Sequence, residues 1–70
     1  MDLGGRLRLA RAEARLTLRE AEERSGVNKD TISRVERGVH APHSQTVAKL
    51  AEAYGRTTEE LLNPLALAQR

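Results

Sequence analysis

The segment Thr17-Leu18-Arg19-Glu20-Ala21-Glu22-Glu23-Arg24-Ser25-Gly26-Val27-Asn28-Lys29-Asp30-Thr31-Ile32-Ser33-Arg34-Val35-Glu36-Arg37-Gly38 holds two helix starts and two helix stops in close succession. Thr17 and Glu20 have the spacing of a capping box, in which each side chain satisfies a backbone N–H of the other's residue. Ala21 is the clearest inward position after it. Gly26 ends this helix, because glycine enters the left-handed conformation that closes a helix without a Cβ penalty. Asn28 is a second N-cap. Ile32 and Val35 give the following helix its inward face, and Gly38 stops it. Val27 lies in the turn and is expected to point into the core. The pattern predicts helices over about 17–25 and 28–37.

Outward from this pair the same signals recur. Leu3, Leu7, Ala10 and Ala14 form one apolar stripe at helical spacing, with Leu9 off it and Asp2 as N-cap. Val39-His40-Ala41-Pro42-His43 reads as a loop, since Pro42 disfavours helix at Ala41. A fourth helix is expected from about Ser44, with Val47, Leu50, Ala51 and Tyr54 inward and Gly55 at its end. A fifth starts at Thr57 in another capping box with Glu60, buries Leu61 and Leu62, and ends by Pro64. Leu65-Ala66-Leu67-Ala68 is a short apolar tail that either caps the core or contacts a second copy. The expected fold is all-α: a compact five-helix domain over residues 1–62 and a tail over 63–70.

Composition narrows the function classes. With 70 residues there is one domain at most, with a modest core. Cysteine is absent, which excludes disulfides and Cys-ligated zinc and fits a cytoplasmic setting. No apolar run approaches membrane-span length and no leader pattern is evident. Tyr54 is the single aromatic, which argues against proteins that stack bases on aromatic platforms. Short helices joined by tight turns leave little room for the roughly 300 Å³ that ligand pockets usually need. His40 and His43 have no convincing third metal ligand, and Ser33 has no base beside it that would make it a nucleophile. No enzyme activity, cofactor, metal or small-molecule ligand is expected. The net charge of +2 is too small to argue for a nucleic-acid partner, although the first nineteen residues hold Arg6, Arg8, Arg11, Arg15 and Arg19 against Asp2 and Glu13.

Two short helices joined by a glycine-containing turn make a helix-turn-helix, in which the second helix enters the major groove of DNA. Leu16 to Ala21 followed by Ser25 to Gly38 resembles the Cro/CI-type (XRE-like) helix-turn-helix family, most closely in Thr31-Ile32-Ser33-Arg34-Val35-Glu36-Arg37-Gly38. The resemblance continues through Arg11, Pro42, Thr46, Leu50-Ala51, Tyr54-Gly55 and Glu59-Glu60-Leu61-Leu62, and covers about residues 3–62. It implies a lambda-repressor-like domain whose recognition helix is Asn28 to Arg37.

The resemblance also implies roles for individual residues. Lys29, Asp30, Thr31, Ser33 and Arg34 match positions on or beside the base-facing surface. Arg34 suits guanine O6 and N7, Lys29 reaches the same edge, and Asp30 can accept from cytosine N4. Thr17, Leu18, Arg19, Asn28, Arg37, His40 and His43 are candidate phosphate contacts at helix ends and the following loop. Arg11 and Glu36 match an ion pair between the first and third helices. The chain departs from the family at Leu18, where Gln is common, and at Glu22, where a small Ala is usual. Ala21 and Ser25 are smaller than usual, and Arg15 stands where Gly or another turn-tolerant residue is frequent. The expected function is a cytoplasmic, sequence-specific regulator of transcription. It binds double-stranded DNA as a homodimer and acts as a repressor on a palindromic operator. A protein-interaction module of the same fold, such as an antitoxin-like partner, is the alternative.

Overall fold

The computed structural model describes residues 2–62, and the tail expected over 63–70 lies outside the described residues. Five α-helices follow in order: α1 Leu3–Glu13, α2 Leu18–Ser25, α3 Lys29–Glu36, α4 Ser44–Ala53 and α5 Thr58–Leu62. No strand occurs among the described residues. The core is assembled from Leu7 and Ala10 of α1, Leu16, Ala21 of α2, Val27, Ile32 and Val35 of α3, Val47, Leu50 and Ala51 of α4, Tyr54, and Leu61 of α5. Leu3, Ala14, Leu18 and Ala53 pack on its edge.

Helices this short are marginal in isolation, so their ends must be satisfied locally. Asp2 accepts the N–H of Gly5 at 2.8 Å, and Asn28 accepts that of Asp30 at 2.8 Å. Thr17 and Glu20 form both bonds of the capping box, at 3.0 and 3.1 Å. Ser25, smaller than is usual at its position, serves the turn. Its hydroxyl donates to Ala21 O at 2.6 Å and accepts from Val27 N–H at 3.0 Å.

The carboxyl ends of α1, α3 and α4 close alike. Two successive N–H groups after each helix turn back onto carbonyls of its last turn: Arg15 and Leu16 onto Ala12 and Arg11, Gly38 and Val39 onto Val35 and Arg34, Gly55 and Arg56 onto Glu52 and Ala51. This closure needs a left-handed residue at its centre. Gly38 and Gly55 supply it at φ 75° and 70°, whereas α1 uses Arg15 at φ 60°.

Side chains of α1 also reach distant parts of the chain. Arg6 Nε donates to the Leu61 carbonyl, and Arg56 Nη2 reaches Glu13 Oε1 at 2.9 Å. At Gly4 the backbones of α1 and α3 meet. A Cβ there would collide with the Val35 carbonyl oxygen and lie 2.9 Å from that of Glu36.

One expectation is corrected. Leu62 is not buried: it is 52% exposed, while Glu60 is 5% exposed. Successive helical residues turn by about 100°, and α5 buries the arc shared by Glu60 and Leu61, which leaves Leu62, a further step round, outside it. Leu61 takes the inward position and Glu60 lies on its other flank. The Glu60 N–H bonds the Thr57 hydroxyl at 3.1 Å, and its carboxylate faces Arg56 Nη1 at 3.9 Å.

Gly4→Ala is expected to destabilise the domain by about 1–2 kcal/mol, because the overpacking cost exceeds the helix-propensity gain. Arg15→Gly is expected to stabilise it by about 0.5–1 kcal/mol, a rise of a few degrees in Tm. Thermal and urea melts followed by circular dichroism measure both.

Candidate nucleic-acid interface

The turn Gly26-Val27-Asn28 sets α3 against α2. Gly26 adopts φ 78° and its N–H bonds Glu22 O, while Val27 is buried beneath the turn. Ile32 and Val35 bury one side of α3 completely or nearly so. Helical geometry places Asp30, Ser33, Arg34 and Arg37, spaced i, i+3, i+4 and i+7, on the opposite side. Asp30, Arg34 and Arg37 are exposed and Ser33 is half-buried. Lys29 (exposed) and Thr31 (half-buried) flank this stripe. The structure therefore brings Lys29, Asp30, Thr31, Ser33 and Arg34 onto or beside one polar face. Among the described residues, no carboxylate pairs with Lys29, Arg34 or Arg37.

Arg11 and Glu36 are joined by a two-pronged contact. Arg11 Nε donates to Glu36 Oε2 at 2.7 Å and Nη2 to Oε1 at 2.9 Å. The third guanidinium nitrogen, Nη1, donates to Leu16 O at 2.8 Å. Bonding to Glu36 holds the Arg11 pKa above its ordinary value against the opposing effect of burial. The pair occupies Arg11 as a structural group and sets its positive charge against that of Glu36.

Beside this pair lies an open cleft of about 370 Å³, lined by Arg8, Arg11, Leu18, Ser33, Glu36 and Arg37. Arg8 is exposed and has no carboxylate partner among the described residues. Sequence reasoning did not single it out as a contact. The available signal was its position three residues before Arg11, which places the two side chains on neighbouring parts of one helix face.

The remaining candidates are more scattered. The Thr17 hydroxyl is engaged as the cap of α2, and hydrogen bonds from Thr17 lower the Glu20 pKa. Leu18 is half-buried against the core, so its N–H, not its side chain, is the group suited to a phosphate. Arg19 is exposed, 3.9 Å from Glu23. Asn28 caps α3. His40 and His43 are exposed in the loop after α3, with His43 directly before α4. No group of three or more metal-ligating side chains occurs among the described residues.

With this geometry the comparison with known proteins is specific. A helix-turn-helix domain model matches residues 2–65. The chain belongs to the helix-turn-helix family, of the Cro/CI (XRE-like) type. It is similar to the HTH-type transcriptional regulator ImmR of Bacillus subtilis (strain 168), with 37% identity over 62 residues. That match takes in 89% of this chain and 49% of ImmR, so the chain spans about half the length of its relative.

Tyr54 lies behind the interface, within electrostatic reach of Arg11 and Glu36. Its hydroxyl is buried and has no hydrogen-bond partner among the described residues. Burial, reinforced by Glu36, pushes its pKa up to about 12. The unfolded tyrosine ionises near 10, so folding favours the neutral phenol. That contribution is present below about pH 10 and is lost as pH rises towards 12. Tyr54→Phe is expected to leave stability at neutral pH unchanged or raised by up to about 1 kcal/mol. It should also flatten the stability loss between pH 10 and 12, as urea melts across that range would read.

Proposed function

We propose that this chain is the DNA-binding domain of a sequence-specific transcriptional regulator that reads double-stranded DNA through the major groove with α3. The observation that carries the reading is the polar stripe of α3. The stripe and its flank present Lys29, Arg34 and Arg37, which have no carboxylate partner among the described residues, on a helix whose opposite side is buried in the core. Family membership and the likeness to a transcriptional regulator support the same reading.

In this mechanism the carboxyl end of α3 and the start of α2 lie over the phosphate backbone. Arg37 and Arg8 attract phosphates from the two sides of their common cleft. The N–H groups of Leu18 and Arg19 add donors at the start of α2. These contacts position the domain without reading sequence. Arg34 then forms a two-pronged contact with guanine O6 and N7, and Lys29 adds a less rigid donor on the same groove edge. Asp30, Ser33 and Thr31 complete the selection, with Asp30 accepting from cytosine N4. One module buries little DNA surface, so a two-fold homodimer on a palindromic operator supplies the needed affinity. The two half-sites then lie about one helical turn, roughly 34 Å, apart. Occupying such an operator in the cytoplasm makes the regulator a repressor. The reading needs no cofactor and assigns no catalytic residue.

Selection of bound sequences from a random duplex pool tests the reading, followed by titrations over a salt series. Arg34→Ala is expected to relax base preference at one position of each half-site and cost about 1–3 kcal/mol there. Arg37→Ala is expected to weaken binding almost uniformly and reduce the salt slope by about one. A folded protein that enriches no duplex would overturn the reading in favour of a protein-interaction module.

A further inference from the structure

Glu22 belongs to α2, yet its carboxylate sits at the start of α3. Glu22 Oε2 accepts the backbone N–H of Lys29 at 3.0 Å, seven residues along the chain. The next N–H, that of Asp30, is taken by the Asn28 side chain at 2.8 Å. Two of the N–H groups that a helix start offers to an external anion are therefore filled from within the protein. Glu22 itself is half-buried, and no arginine or lysine pairs with it among the described residues. Its charge remains uncompensated by a basic side chain among the described residues, at a helix start whose second residue, Asp30, is also acidic and exposed.

From this we infer that Glu22 is a specificity-determining residue: it holds α3 in register against α2 and repels DNA phosphate from the reading end of that helix. The inference rests on the proposed docking of α3 in the major groove. Sequence-independent binding is essentially attraction to phosphate. A carboxylate at the helix start opposes every loose pose in which that end rests on the backbone. In the seated pose the same end faces base edges, where cytosine N4 and adenine N6 present donors. Glu22 therefore penalises random duplex more than the preferred sequence. It acts by widening the gap between the two affinities, since specificity is such a difference.

Two variants separate the charge from the hydrogen bond. Glu22→Gln keeps an acceptor for the Lys29 N–H and removes the charge, whereas Glu22→Ala removes both. In titrations of the whole chain at low salt, Glu22→Gln is expected to tighten random-sequence duplex binding about threefold to tenfold. Binding to the selected sequence should change by less than about twofold, so the ratio of the two falls. Amide exchange followed by NMR is expected to show faster exchange at Lys29 in Glu22→Ala and little change in Glu22→Gln. Unaltered or weaker random-duplex binding by folded Glu22→Gln would overturn the inference while leaving the DNA-binding reading intact. A loss confined to the selected sequence would also overturn it, by showing that Glu22 reads a base. If the wild-type chain binds no duplex, both fall together.

Discussion

Arg11 donates three hydrogen bonds at once, and the orientation of α3 depends on them. Two go to Glu36 at the end of α3 and one to the Leu16 carbonyl in the turn before α2. One planar group thus ties α1, the entry to α2 and the exit of α3. A largely buried ion pair must offset the cost of desolvation, so it is weak evidence for net stability. Its distinctive property is direction. A flat fork bound at three points resists rotation of α3 about its own axis, which leucine packing alone resists poorly. Rotation matters here because one residue's turn, about 100°, would exchange the exposed Arg34 for the buried Val35.

The rest of the domain is arranged around that constraint with little material. Its buried side chains are mostly alanine, valine and leucine. Close backbone approach compensates for small side chains: Gly4 lets the first turn of α1 sit against the last carbonyls of α3. Away from α3, Arg56 joins Glu13 and approaches Glu60. On the polar face of α3, Lys29, Arg34, Arg37 and the neighbouring Arg8 remain without carboxylate partners among the described residues. A net charge of +2 conceals this separation. Local field follows from which charges are paired, more than from their sum.

Some of this was legible from residue order. Thr17 with Glu20, Asn28 and the three left-handed glycines mark helix ends through interactions spanning a few residues, and the helices begin and end there. Ile32, Val35, Val47 and Leu50 occupy the faces that helical spacing assigns them. The polar stripe from Asp30 to Arg37 follows from the same periodicity. The fit of Arg11 to Glu36 came from family resemblance, since nothing local connects residues 25 positions apart.

Other features escaped because they depend on what lies across the fold. Leu62 and Glu60 looked like an ordinary apolar and polar choice until packing buried the arc of α5 that holds Glu60 and Leu61. Glu22 stood out only as a large residue where a small one is usual. Its use as a cap for α3 required the two helices to cross. Gly4 carried no local signal at all, because its role is set by two carbonyls from a later helix. Caps, turns and helical faces are determined within about one turn of chain, where spacing alone brings groups together. Which backbones touch, which charges are neutralised and which remain exposed without a partner are decided only when the helices pack, because those distances do not exist in the chain until it folds.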